Sequence, residues 1–306
     1  MRGALASSLL LALLAGCKPP PPQPQAAPRY VIGQPYRMGG LWSYPREDFA
    51  RQETGLAAVL PDSAAGRRTA NGEIHDPAGL MAAHRTLQLP AIVTVTNLEN
   101  GRSLLLRVND RGPENPARLL GLSRRAATLL GVPANGAAQV RLMVEGEASR
   151  ALAAALPSTE RVELPIAAAP VRAGVEREEL APPPGARSAG TARQGSPQPS
   201  TGPVASAVAE SPAAMLPPER LPERVMQGQA SPGRLLIEAG SFFRRDLAQH
   251  QTARLAGLGA RVEQSGHGRQ AEYRVRLGPF GNVAEADRAF AAVLAAGLPE
   301  ARLLVE

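Results

Sequence analysis

Cysteine, lysine and aromatic residues are all scarce in this chain of 306 residues. The single cysteine, Cys17, excludes an intramolecular disulfide, so an oxidising compartment would supply the fold with no staple. Lys18 is the only lysine, and the remaining positive charge is arginine, whose planar donor fork suits carboxylates. Aromatic residues make up 3% of the chain, which leaves few flat faces on which a sugar ring can pack. The N-terminal apolar run, Ala4 to Ala15, is shorter than the roughly 20 residues that a membrane-spanning helix needs.

Other residues are abundant. The chain holds 30 glycines and 30 prolines beside an apolar fraction of 44%. Prolines packed into one core would break its hydrogen-bond ladders, so folded parts must alternate with poorly folding ones. The length allows about two domains. A formal charge of +7 and a pI near 10.5 point to an anionic partner or surface.

The N-terminus has the order of a secretory signal: Arg2, the apolar run, then the small residues of Leu14-Ala15-Gly16-Cys17. The cysteine directly after the small pair resembles the lipobox of bacterial lipoproteins. That resemblance implies removal of residues 1–16 and acylation of Cys17, which would anchor the chain to a membrane. Lys18 at the next position implies the outer membrane, with the protein facing the periplasm. Nucleic acid is then not an expected partner. The alternative is a signal peptide with a chance cysteine.

Residues 17–29 read as a Pro-rich tether of polyproline-II character. A folded region follows over 30–145, then a Pro/Ala-rich stretch over 146–233, read as a disordered linker whose first part, ASRALAAAL, suits a short helix. A flexible chain of ~80 residues has an end-to-end distance of roughly 50 Å. A second folded region spans 234–306.

The first region reads as mainly β. Ala91 to Glu99 and Arg102 to Val108 alternate around Asn100-Gly101, a favoured two-residue hairpin turn. This register pairs Glu99 with Arg102, Val95 with Leu106 and Val93 with Val108, and sets Thr94 opposite Arg107. Asp110 shares the parity of Leu106 and Val108 and so leaves the strand on its apolar face. Ser123 and Gly131 bracket a short helix over Arg124 to Leu130. The second region reads β-α-β-β-α-β, with Asn282 capping the second helix, and gives a four-stranded α+β sheet of ferredoxin-like type.

Polar residues gather in Thr69-Ala70-Asn71-Gly72-Glu73, in Ala82-Ala83-His84 and in Val108-Asn109-Asp110-Arg111-Gly112-Pro113. Turn chemistry explains Asp110, a solvated loop acid explains Glu73, and a structural imidazole explains His84. Spacing alone does not bring the three together.

GRRTANGE (Gly66 to Glu73), AAHRTLQLP (Ala82 to Pro90), VTNLENGRSLLLRVNDRGP (Val95 to Pro113) and LSRRAATLLG (Leu122 to Gly131) resemble the double-psi β-barrel of the rare lipoprotein A family, which includes septal lytic transglycosylases. The lead-in YVIGQPYRMGGLWSYPREDF, Tyr30 to Phe49, is similar to that of some members. EAGSF (Glu238 to Phe242) and YRVRLGPF (Tyr273 to Phe280) are similar to a SPOR domain.

The resemblance implies a multidomain lipoprotein that cuts the β-1,4 bond of peptide-stripped glycan strands and closes a 1,6-anhydro ring on muramic acid, with no cofactor. Glu73, His84 and Asp110 match the positions tied to activity. Asp110 is expected to serve as acid and then base, which needs a raised pKa. Glu73 would stabilise the oxocarbenium-like charge or share the proton, and His84 would orient one of them. Arg67, Asn71, Asn109 and Arg111 are expected to contact substrate. In the second domain Glu238, Arg274 and Arg276 fall on the open sheet face, where arginine suits the lactyl carboxylates of denuded glycan at the septum.

The chain departs from the family wording at A-S-W-Y-G-x-x-F-H-G-R, which here is Ala57 to Arg67 with Val59, Leu60 and Ala64-Ala65 at the aromatic and histidine positions; Gly121 stands for an aspartate. A non-catalytic peptidoglycan-binding lipoprotein is the rival expectation. A basic periplasmic scaffold is a weaker third, since it gives the trio no role.

Overall fold

The computed structural model describes residues 24–158, 220–267 and 271–306. The leader, Cys17, Lys18, most of the Pro/Ala-rich stretch and Gly268 of the expected Gly266-His267-Gly268 turn lie outside the described residues.

A hairpin of β1 (Tyr36–Met38) and β2 (Leu41–Ser43) comes first. The barrel is then built from β3 (Gln52–Val59), β4 (Met81–His84), β5 (Ala91–Asn97), β6 (Arg102–Asp110), β7 (Leu120–Leu122) and β8 (Ala137–Val144), with α1 (Arg124–Leu130) between the last two. The strand order is β4-β7-β3-β8-β5-β6, and a β4–β6 pairing closes it into a six-stranded barrel. Two of its pairings, β3 with β7 and β4 with β6, are parallel. The interior is filled by alternate strand residues, among them Val93, Val95, Leu104, Leu106, Val108, Val140 and Leu142, all at 0% exposure. That is the period-two pattern the sequence carries.

The β5–β6 hairpin holds a correction. The observed pairs are Ala91–Val108, Val93–Leu106, Thr94–Leu105 and Val95–Leu104, two residues from the expected register, and Ile92 rather than Thr94 stands opposite Arg107. The turn is longer than Asn100-Gly101 because its side chains have other work. Asn97 and Asn100 each donate to the carbonyl of Leu130 at the end of α1, both at 2.9 Å, and Gly101 N–H closes on Asn97 O at 2.8 Å. A shift of two keeps every side chain on its expected face, so the core is unaffected. The α1 boundaries are those expected, with Ser123 Oγ accepting from Ala126 N–H.

Both ends of the 146–233 stretch fold onto the barrel. Residues Gly146–Ala155 form α2, whose Leu152 and Ala153 are buried and whose Ser149 hydroxyl bonds both backbone groups of Ile92. Leu221 enters the barrel core, and β9 (Met226–Gln227) adds to the free edge of β6.

The C-terminal domain holds β10 (Leu235–Phe242), α3 (Arg245–Arg254), β11 (Arg261–Ser265), β12 (Glu272–Phe280), α4 (Val283–Ala295) and β13 (Arg302–Val305). Its sheet order is β11-β12-β10-β13, the expected α+β arrangement. Ile237, Val275 and Leu277 pack with Ala248, Phe290 and Val293 of the helices. This domain also touches the barrel. Arg118 makes two bonds to Asp287 at 2.6 and 2.8 Å, and Thr54 Oγ1 donates to Val305 O at 2.7 Å. Leu56, Leu98 and Ala117 of the barrel share one apolar cluster with Leu303 and Val305.

Candidate active site

The turn from Thr69 to Glu73 is closed by Thr69 N–H to Glu73 O at 2.8 Å and Gly72 N–H to Thr69 O at 2.9 Å. Gly72 has φ 89°, and a Cβ there would lie 2.1 Å from Ala27 O, so only glycine fits. The turn aims Glu73 at β6. Its Oε1 accepts from Arg107 Nε at 2.9 Å, Arg107 Nη2 at 2.6 Å and Asn71 Nδ2 at 2.7 Å. Its Oε2 accepts from Asn109 Nδ2 at 2.8 Å. The carboxylate is therefore ringed by donors, two of them from one guanidinium fork.

Asp110 ends β6. Its Oδ1 accepts from Ala70 N–H at 2.9 Å and Arg111 N–H at 2.8 Å, while Oδ2 has no hydrogen-bond partner among the described residues. Asn71 N–H bonds Asn109 O at 3.3 Å, so the turn that carries Glu73 and the strand end that carries Asp110 are stitched together. The site thus holds one saturated acid and one acid with a spare oxygen. Two rings lie near enough to Asp110 to feel its charge. Burial pushes His75 below its ordinary value, with Asp110 opposing. Burial pushes the Tyr36 phenol up, and Asp110 adds to that while Arg111 opposes it.

His84 faces elsewhere. It is 2% exposed, and its Nδ1 accepts from Thr86 N–H and Leu87 N–H, both at 3.1 Å. The proton must then sit on Nε2, which donates to Glu53 Oε2 at 3.2 Å. Burial holds the imidazole below its usual value, against the pull of Glu53. For Glu53 burial acts upward, but the His84 bond and the Arg51 partner outweigh it and bring the carboxyl to about 2. His84 therefore packs the turn after β4 rather than contacting Glu73 or Asp110.

The expected substrate contacts are redistributed. Asn71 and Asn109, both at 0% exposure, hold Glu73 instead of reaching a ligand. Arg111 donates to the carbonyls of Leu87 and Ile32 and lies over the Tyr36 ring. Arg67 is exposed and lies near His75. Sequence reasoning missed Arg107 and Glu53 as parts of this framework, and His75 beside Asp110. The one available signal was Glu53 itself, an acid on the parity of Ala57, which is fully buried in the same strand.

In the C-terminal sheet Arg276 is 6% exposed. It bonds Glu306 at 2.6 and 2.8 Å and Glu263 at 2.9 Å, with Glu238 at 3.7 Å. The face is not open at this point, because three carboxylates cover the guanidinium. Arg274 bonds Glu272 at 2.7 and 3.0 Å and stays partly exposed.

Residues 53–142 match the family described as lytic transglycolase, and residues 231–301 match the SPOR domain. The endolytic peptidoglycan transglycosylase RlpA of Pseudomonas aeruginosa is 31% identical over 295 residues, covering 90% of this chain and 77% of that protein. The chain belongs to the RlpA family. The RlpA of Yersinia pestis is 39% identical over 145 residues, covering 40% of each chain. The crystal structure of the RlpA SPOR domain from Pseudomonas aeruginosa is matched at 28% identity and TM-score 0.22, over 24% of this chain and 99% of that one.

Of the positions Val59, Leu60, Ala64 and Gly121, two are linked in the structure. A Cβ at residue 121 would lie 2.5 Å from Leu60 Cδ2, so Leu60 occupies the space a side chain there would need. Val59 and Leu60 also line a depression of about 410 Å³ with Asp62, Arg124, Thr128 and Asn135, which includes neither Glu73 nor Asp110.

Proposed function

We propose that this protein is an endolytic lytic transglycosylase of the cell envelope that acts on peptide-stripped peptidoglycan strands. The observation that carries this reading is a Glu73 held by four donor bonds and an Asp110 whose Oδ2 has no partner among the described residues, on two segments bonded to each other. The reaction needs one group to give a proton to the glycosidic oxygen as the C1–O bond breaks. The muramic acid C6 hydroxyl then attacks C1, and its proton returns to that group. No water enters, so one carboxyl suffices, and Oδ2 of Asp110 is the atom assigned to both transfers. Glu73, fixed by Arg107 and two asparagines, is the group assigned to stabilise the developing oxocarbenium ion. His84 acts through the fold, by fixing β4 against Glu53.

The Cys17 lipid anchor, an outer-membrane location and enrichment at the septum belong to the same proposal. They rest on the Leu14-Ala15-Gly16-Cys17 order, Lys18 and the SPOR domain. The aliphatic run at Val59, Leu60 and Ala64 favours a second reading, a barrel that holds glycan without cutting it. The deciding experiment incubates the soluble protein from Gln25 onward with amidase-treated sacculi and weighs the released sugars. Products with 1,6-anhydro ends support the enzyme. Sacculus pull-down without such products supports the binder.

A further inference from the structure

The chain has one tryptophan, and it is not in a core: Trp42 is 60% exposed, and Tyr44 is 62% exposed. Between them Ser43 is 4% exposed, with its hydroxyl accepting from Arg85 Nη1 at 3.4 Å. Alternation therefore sends Trp42 and Tyr44 to the same outer face, about 7 Å apart along the chain. Arg37 pairs directly with Trp42 across the β1–β2 hairpin and so shares that face. Arg37 is exposed and pairs with no carboxylate among the described residues; its Nε donates to Gly40 O at 3.1 Å.

The hairpin is fixed to the site. Tyr36, on its inner face opposite Ser43, donates to Arg85 O at 2.8 Å and lies under the Arg111 guanidinium, 5.9 Å from the ring centre. Asp110 acts on the same phenol. Arg85 donates to Met38 O at 3.2 Å and to Glu114 O at 2.7 Å, which ties the hairpin to the loop after Asp110. Its tip is pressed so close to that loop that a Cβ on Gly39, at φ 58°, would lie 2.1 Å from Glu114 O. Two exposed rings and a cation are thus held on a bonded support near the acid, whereas residues 57–65 carry no aromatic side chain.

We infer that the outer face of this hairpin is a subsite for the glycan strand. A sugar ring packs on Trp42 with Tyr44 alongside, and Arg37 takes the lactyl carboxylate of a muramic acid unit. The inference rests on the glycan-cutting reading for its ligand and adds a place where the strand is held outside the cleavage point.

The single tryptophan makes the test local. Full-length protein carrying Asp110→Asn is titrated with soluble peptide-free glycan strands while Trp42 emission is recorded. A saturable blue shift is expected, and Arg37→Ala should weaken the apparent affinity about tenfold. In otherwise wild-type protein, Trp42→Ala should raise KM for long strands about tenfold and leave kcat unchanged. Emission that stays constant while the same sample is pulled down by sacculi would overturn the subsite, as would an unchanged KM in Trp42→Ala. Failure of the cleavage reading looks different: the shift persists, but wild type releases no anhydro sugar.

Discussion

In the barrel one carboxylate, Glu73, is ringed by Arg107, Asn71 and Asn109; in the C-terminal sheet one guanidinium, Arg276, is ringed by Glu306, Glu263 and Glu238. Each centre is the charge inverse of the other. The barrel carries a second acid, Asp110, on a strand end bonded to the turn that bears Glu73, and its Oδ2 has no hydrogen-bond partner among the described residues. The sheet places Arg274 beside its saturated cation, but Arg274 is itself bonded to Glu272. A neutralised charge at the centre of a ring organises its surroundings, and chemistry needs a neighbour that the ring leaves unfinished. By that measure the barrel is built to react, and the sheet is built to hold.

The comparison is broken most severely by removing the donor at the barrel centre. Arg107→Leu takes the guanidinium partner from Glu73, whose side chain is only 14% exposed, and should cost about 3–5 kcal/mol, as for other broken buried pairs. Thermal unfolding of the variant measures this. An intact melting temperature would show that Arg107 does not support Glu73.

A smaller effect belongs to the pair behind the site. Glu53 is lowered from an ordinary 4.5 to about 2, so its contribution is present above pH 4.5 and is lost as pH falls toward 2. His84 is lowered from 6.5 by burial, so its contribution is present above 6.5 and is lost as pH falls below it. Stability should therefore decline in acid in two stages. Glu53→Gln should cost about 3 kcal/mol at neutral pH and flatten the stage between 4.5 and 2. A denaturation midpoint that still falls through that window in the variant would contradict the assignment.

The smallest effect is expected in the sheet. Glu306 is 40% exposed and shares Arg276 with two other acids. Glu306→Gln should change stability by about 1 kcal/mol or less, as exposed pairs do. A loss as large as that of Arg107→Leu would mean that the two rings are not different in kind.

Much of the fold was legible because it depends on local rules. Period-two alternation gave the strands, Ser123 and Gly131 bounded α1, and Asn282 capped α4. The hairpin register slipped by two because Asn97 and Asn100 bond the end of α1, contacts across 33 and 30 residues that no local rule contains. The site was legible in part. The segments that carry Glu73 and Asp110 are joined through backbone bonds of Ala70 and Asn71 that sequence spacing cannot show. The sequence sets Arg107 only on the strand face opposite Leu106 and Val108, and no local rule shows that it meets Glu73 there. The family wording sets His84 with the acids, but its bonded partner is Glu53, 31 positions earlier in a strand that no sequence pattern connects to β4.

The division of labour between the two barrel acids is tested most directly by one paired measurement on Asp110→Asn: its rate of 1,6-anhydro sugar release from denuded sacculi, read together with its melting temperature. Loss of release by about 10²–10⁴-fold, the usual weight of a general acid–base group, is expected with a melting temperature close to wild type. Release at the wild-type rate would contradict the assignment of proton transfer to Asp110.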